Sequence, residues 1–224
     1  MHRDISMPDH VDLTHPIKTD MQTYPDDPAV TRSDHATHDK DGYHVETLSC
    51  GSHTGTHIDA PLHTEADGDP LAAFSVDRFV FDAVRIDCRD CVAREPITPN
   101  RLPDGDVLAD AEMVVCWIGW DTYWNTDRYL DHPYVAPETA ARCADHNLAV
   151  GIDALSPDPT PSERADDEAT EFAAHHALLG SDCLIVENLT NLGRVSERFE
   201  LRAYPLALGG DGAPVRAVGY RSGG

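Results

Sequence analysis

The sequence predicts a single-domain α/β protein with a mixed sheet and flanking helices. Three observations carry this expectation. Residues 113–119 (MVVCWIG) form a continuous apolar run, the pattern of a strand covered on both faces. Pro137 opens PETAARCADHN, a helix with proline in its first turn. Residues 148–152 and 183–189 (CLIVENL) return to apolar strand runs, so helices and strands interleave through the second half.

The remaining elements follow along the chain. Residues 45–50 suit a short strand, and 79–87 alternate in polarity and are rich in β-formers. The proline-rich stretch 156–161 reads as a loop. A capping-box-like start at Ser162, with acids in the first turns, predicts a helix that ends near residues 179–180. The acidic run 166–168 within it reads as a solvated face. Residues 199–208 and 215–220 predict a closing hairpin around a turn at 209–212. The strands crowd toward both ends, which points to an all-β portion at each terminus.

The length of 224 residues fits one domain, 1–224, with a substantial core. No apolar run reaches the length of a membrane span. The first residues, MHRDISMPDHVDL, lack the apolar stretch of a secretory signal, so a cytoplasmic protein is expected. Forty acidic residues stand against 17 basic ones, for a net charge of −23. That field repels nucleic acid and anionic membranes, so neither is an expected partner; the partner expected is a small-molecule substrate. The acids are spread along the chain, and Lys18 and Lys40 are its only lysines. Such a surface suits a salt-adapted, halophilic type of protein, in which ions screen the self-repulsion. Cys50, Cys116 and Cys183 fall in apolar strand-like runs and are expected to pack as small hydrophobes. Cys88 and Cys91 form a lone C-x-x-C with no second pair, which reads as incidental. Trp117, Trp120 and Trp124 read as core and pocket wall.

The chemistry concentrates in Ser52-His53-Thr54-Gly55-Thr56-His57-Ile58-Asp59-Ala60-Pro61-Leu62-His63. His53, His57, Asp59 and His63 all occupy odd positions, which share one face of an extended chain. Gly55 lies between them on that face and leaves room where a cation could sit. Pro61 interrupts a regular strand, which places His63 on a turn just beyond it. Imidazole and carboxylate are ligands that zinc, manganese and iron prefer, and two His with one carboxylate leave positions open for water and substrate. Glu187, inside an apolar run, needs a cationic partner if it is buried.

The motif H-T-G-T-H-x-D-A-P-x-H resembles the signature of the kynurenine formamidase-like, or cyclase, family of metal-dependent hydrolases. Similar blocks extend along the chain: Asp12-Leu13-Thr14-His15-Pro16-Ile17, Tyr24-Pro25, Asp27-Pro28, Gly119-Trp120-Asp121, Gly151-Ile152-Asp153 and Ser156-Pro157-Asp158. His175-His176-Ala177-Leu178-Leu179-Gly180, followed by Ile185-Val186-Glu187-Asn188-Leu189, resembles the family's second metal-binding segment. The resemblance implies a barrel-like mixed sheet of the swivelling β/β/α type. It implies that His53, His57 and Asp59 hold a first divalent metal, and that Asp59, His175 and Glu187 hold a second. His175 is preferred over His176 because the family pattern is H-x-x-L-L. Zinc, two ions per chain, is the implied cofactor, with manganese as the other candidate. His63 is the implied catalytic acid/base. Tyr24 stands where the family carries a pocket tryptophan, and it keeps a stacking face while adding a hydroxyl. The implied activity is hydrolysis of an amide-like C–N bond by metal-activated water, with an N-formyl arylamine as the first substrate expected. A cyclic amide of the isatin type, a non-hydrolytic cyclase and a metal-binding protein are the alternatives. A homo-oligomer, dimer or tetramer, is also implied.

Overall fold

The computed structural model describes residues 10–162 and 172–220. In chain order the strands are β1 (His10–Asp12), β2 (Thr31–Ala36), β3 (Val45–Ser49), β4 (His57–Asp59), β5 (Val80–Asp87) and β6 (Pro96–Ile97). They continue with β7 (Met113–Trp117), β8 (Tyr134–Val135), β9 (Ala149–Ile152), β10 (Ile185–Glu187), β11 (Arg198–Pro205) and β12 (Gly212–Tyr220). The helices are α1 (His38–Asp41), α2 (Gly105–Ala109), α3 (Pro137–Asp145) and α4 (Ala173–Leu179).

Seven strands close into a mixed barrel in the order β12-β11-β5-β7-β9-β10-β4, and β4 pairs back onto β12. Strands β5, β7, β9 and β10 run parallel to one another, while β4, β11 and β12 join through antiparallel pairings. Closure leaves the ring without a free edge, and β1 lies outside it, paired with β12.

The continuous apolar runs arise because the parallel strands are buried on both faces. On β7, Val114 and Cys116 face a core shared with α3 and α4, whereas Met113 and Val115 belong to the barrel's inner core. On β9, Val150 and Ile152 pack outward and Ala149 inward in the same way. Proline opens α3 at its first turn, and the helix lays Ala140 and Cys143 on the outer core. The predicted C-terminal hairpin forms as β11 and β12.

Two expectations about local structure change. The strand at 45–50 exists as β3, but it pairs only with β2 in a separate two-stranded sheet, and all five residues of β3 are exposed. Cys50, just after it, is half-buried and not a strand core residue. An alternating sequence fits a strand but does not show which sheet receives it. The helix expected from Ser162 is present as α4 only from Ala173, and residues 163–171, including the acidic run, lie outside the described residues. Among the described residues no helix is long and apolar enough to cross a membrane.

Candidate metal centre

The pairing of β4 with its two neighbours builds the site. In β4, His57 stands opposite Glu187 of β10, and Asp59 stands opposite Gly212 of β12. A slip of one residue would turn His57 and Asp59 to the other face, so the register of this three-residue strand is what brings them together. His53 reaches the same spot from the preceding loop and not from a strand, because β4 begins only at His57. Gly55 explains the change: its φ of +63° is in the left-handed region, so the chain bends between His53 and His57. A Cβ there would lie 3.0 Å from the terminal methyl of Met21. Gly55 therefore serves the turn, and does not leave the cation space expected from an extended face.

His175 arrives from the first turn of α4. Asp158 accepts hydrogen bonds from the backbone N–H of Ala174 and His175 at 2.8 and 3.0 Å, and pairs with His175 Nδ1 at 2.7 Å. That leaves Nε2 pointing at the cluster, 3.3 Å from Glu187 Oε1 and 3.9 Å from Asp59 Oδ2. His176 points away, exposed, with Nδ1 2.7 Å from Glu65. His57 is oriented in the same manner: Nδ1–H donates to Gly55 C=O at 2.7 Å, and Nε2 lies 3.3 Å from Asp59 and 3.2 Å from Glu187. Asn188 braces that carbonyl with a second hydrogen bond from Nδ2 at 3.0 Å, and Tyr129 O–H donates to Asn188 at 2.9 Å.

Ligand-type atoms of His53, His57 and Asp59 lie within 4.8 Å of one another, and so do those of Asp59, His175 and Glu187. Asp59 is common to both sets. His63 sits on the short 3-10 turn Pro61–His63, as the proline suggested, with its ring 3.8 Å from that of His53 and 5.5 Å from that of His175. A cavity of about 240 Å³ opens beside it, lined by Tyr24, Pro25, Asp27, Ser156 and Phe172 together with His53, His63, His175 and Glu187. The rings of Tyr24 and Phe172 are 6.3 Å apart in this wall. Tyr24, His53, His63, His175 and Glu187 line this cavity, and His57 and Asp59 are buried in the cluster they share with His53, His175 and Glu187. Trp117, Trp120 and Trp124 lie elsewhere, in the core or against arginine and histidine side chains. Cys88 and Cys91 are buried free thiols, and burial pushes the Cys88 pKa up to about 12.

The donor set fits a divalent cation on its own evidence. Asp59 is fully buried and Glu187 is 5% exposed, yet Asp59 Oδ2 and Glu187 Oε1 have no hydrogen-bond partner among the described residues. Buried carboxylate oxygens without a partner are costly. Protons fill the role in part. Burial opposes charge on His57 and His175, but Asp59 and Glu187 around His57, and Asp158, Glu187 and Asp59 around His175, outweigh it. The His57 pKa rises well above its ordinary value, and that of His175 rises to about 10. Burial likewise opposes charge on Asp59, and His57 and His53 hold it well below the carboxylate range. A divalent cation can replace those imidazolium protons while satisfying the same oxygens. His63 differs: burial and the neighbouring His53 and His175 lower its pKa, against the pull of Asp59 and Glu187, so it is held neutral.

Asp158, Asp211, Gly212, Asn188 and Phe172 had no assigned role in the sequence reading. Asp158 and Asn188 sit in blocks noted for their resemblance, and Asp211, Gly212 and Phe172 carry no local signal, because their partners come from distant segments.

Fold and cluster together define a barrel protein with a buried histidine–carboxylate centre of metal-ligand type, open to one small cavity. The profile of the family described as "Putative cyclase" matches residues 11–159. Kynurenine formamidase of Salinibacter ruber is 32% identical over 93% of this chain and 95% of its own, and that of Bacillus mycoides is 31% identical over the same shares. Among solved structures, a protein described as a predicted metal-dependent hydrolase from Bacillus stearothermophilus superposes with a TM-score of 0.72 at 25% identity, covering 95% of this chain and 98% of its own. Isatin hydrolase A from Labrenzia aggregata superposes with a TM-score of 0.79 at 21% identity over 96% of this chain and 94% of its own, which shows a shared fold. The chain belongs to the cyclase family and is a hydrolase of that family.

Proposed function

We propose that the chain is a metal-dependent amidohydrolase that cleaves the amide-like C–N bond of an N-formyl arylamine. The observation that carries this reading is the pair of buried oxygens, Asp59 Oδ2 and Glu187 Oε1, which make no hydrogen bond among the described residues and lie 3.9 and 3.3 Å from His175 Nε2 within two clusters of ligand-type atoms. His53, His57 and Asp59 would hold one ion, and Asp59, His175 and Glu187 the other. Zinc suits the nitrogen–oxygen donor set, with manganese as the alternative. When bound, such ions polarise a carbonyl and lower the pKa of water toward about 7.

The chain's own residues supply the rest. His63 is neutral and 29% exposed at the cavity, so its ring can take a proton from water and return it to the departing nitrogen. Tyr24 and Phe172 offer aromatic faces for an aryl ring, and the cavity of about 240 Å³ suits a substrate of one ring and not a large ligand. Asp158 and the Gly55 carbonyl fix the His175 and His57 rings so that Nε2 of each faces the centre. A homo-oligomer belongs to the same proposal, and light scattering on the purified chain checks it.

The test combines elemental analysis with a substrate panel. Metal-loaded protein is expected to contain about two ions per chain and to release formate from formyl-arylamides, and to lose activity after chelation. Full activity with no detectable metal would overturn the proposal. Ring opening of cyclic amides without deformylation would move the substrate to the isatin type.

A further inference from the structure

One carboxylate at the centre comes from a part of the chain with no resemblance to a ligand motif. Asp211 lies in the turn between β11 and β12. Its Oδ2 is 2.9 Å from His53 Nε2, while His53 Nδ1 is 2.7 Å from Asp59 Oδ1. The two ring nitrogens of His53 are thus divided between two acids, one inside the centre and one at its rim. The turn is itself anchored: Asp211 C=O accepts from Ala60 N–H at 2.8 Å, and Gly210 C=O accepts from Leu71 N–H at 2.8 Å. The next residue completes the seat. A Cβ at Gly212 would fall 2.5 Å from His53 Cε1 and 3.0 Å from each ring nitrogen, so the ring lies against bare backbone. The same Asp211 Oδ2 is 3.8 Å from His63 Nδ1, and the His53 and His63 rings are 3.8 Å apart.

We infer that Asp211 and Gly212 are positioning residues for the first ion: they seat His53 and fix Nδ1 as the nitrogen it presents. The inference rests on the metal reading of the centre. A ligating histidine is commonly held through its second nitrogen by a carboxylate, which settles the tautomer and the ring angle. His57 and His175 are held at Nδ1 and present Nε2. His53 is the reverse, because its loop approaches from outside β4 and the acid that meets it comes from the β12 side. Asp211 Oδ2 is 3.8 Å from His63 Nδ1, beyond hydrogen-bond reach, so its hold is on His53.

The experiment is a zinc titration of the metal-free full-length protein against a competing chelator, with Asp211→Asn, Asp211→Ala and Gly212→Ala beside the wild type. Long-range ¹H–¹⁵N spectra of histidine-labelled, zinc-loaded protein give a second readout. Asp211→Ala is expected to weaken the first site by about 10- to 100-fold, the usual effect of losing an outer-shell carboxylate, and to leave the second unchanged. Asp211→Asn keeps the shape and is expected to fall between. Gly212→Ala is expected to weaken the first site with Asp211 intact, and the unchanged second site in each variant shows that the barrel has folded. The spectra are expected to show His53 coordinated through Nδ1. Coordination through Nε2, or first-site affinity in Asp211→Ala equal to wild type, overturns the inference alone. A wild type holding three ions, one of them lost in Asp211→Asn, makes Asp211 a ligand and also overturns it. A wild type that takes up no zinc overturns the metal reading and this inference with it.

Discussion

Replacing Glu187 by glutamine tests the centre at a buried charge. The side chain is buried on β10, with one oxygen 3.2 Å from His57 Nε2 and the other 3.3 Å from His175 Nε2. Burial and Asp59 push its pKa up, and His175 and His57 more than compensate, so Glu187 is ionised. Glutamine keeps the volume but removes the charge, and it puts an N–H₂ donor where an acceptor faced the ring nitrogens. Removing one partner of a buried charge pair costs about 3–5 kcal/mol. If the ion supplies the partner charge, the second site weakens by about 10²–10³ or more. The first site meets Glu187 through His57 and shares Asp59 with the second site, but keeps all three of its own ligands, so a loss of about tenfold or less is expected there. Bound metal should fall from about two ions per chain toward about one, since ligand number and charge set occupancy. Chelator-competition titration with elemental analysis reads both quantities. If Glu187→Gln keeps the wild-type stoichiometry and both affinities, the shared two-ion centre is refuted. A wild type with one ion, retained with full activity in the variant, leaves a single-ion centre in its place.

Three further outcomes are expected. His63→Ala should keep its metal and lose about 10²–10⁴ in kcat, the worth of a general acid/base, and a variant that sheds metal would make His63 a ligand instead. His15 and His132 are buried, and burial lowers the pKa of each to about 4, against the pull of Asp121 on His15 and of the Pro133 carbonyl on His132. The unfolded chain binds their protons below about 6.5 and the native chain does not, so stability drops as pH falls through that window to 4. Between pH 7 and 5 this amounts to about 2 kcal/mol for each histidine, which denaturant midpoints would show as a smaller drop in His132→Gln than in wild type. The net charge of −23 predicts a melting temperature that rises in molar KCl, and a flat or falling response would remove the salt-adaptation reading.

Much of the framework was legible in the sequence because strand burial writes itself into composition. The run 113–119 had to be a covered strand, since seven consecutive residues with no charge cannot alternate between core and water. His53, His57, Asp59 and His63 were legible because they lie within eleven residues, and Pro61 gave the turn that carries His63. Glu187 was legible as an acid stranded in an apolar run. Other decisions belong to the tertiary structure, because each depends on groups far apart in sequence. In the sequence only the family pattern H-x-x-L-L favours His175 over His176, and the physical reason is tertiary: Asp158, 17 residues away, caps α4 and holds the His175 ring. Gly55 looked like empty space on a strand face, and the fold makes it the bend between a loop and a strand. Strand β3 satisfied the pattern of a strand, but pairing with β2 alone keeps it out of the barrel. The sequence determined which side chains could bind a cation. Barrel closure determined where they meet, by pairing β4 with β10 on one side and β12 on the other, and it alone brought Asp211 within 2.9 Å of a histidine 158 residues away.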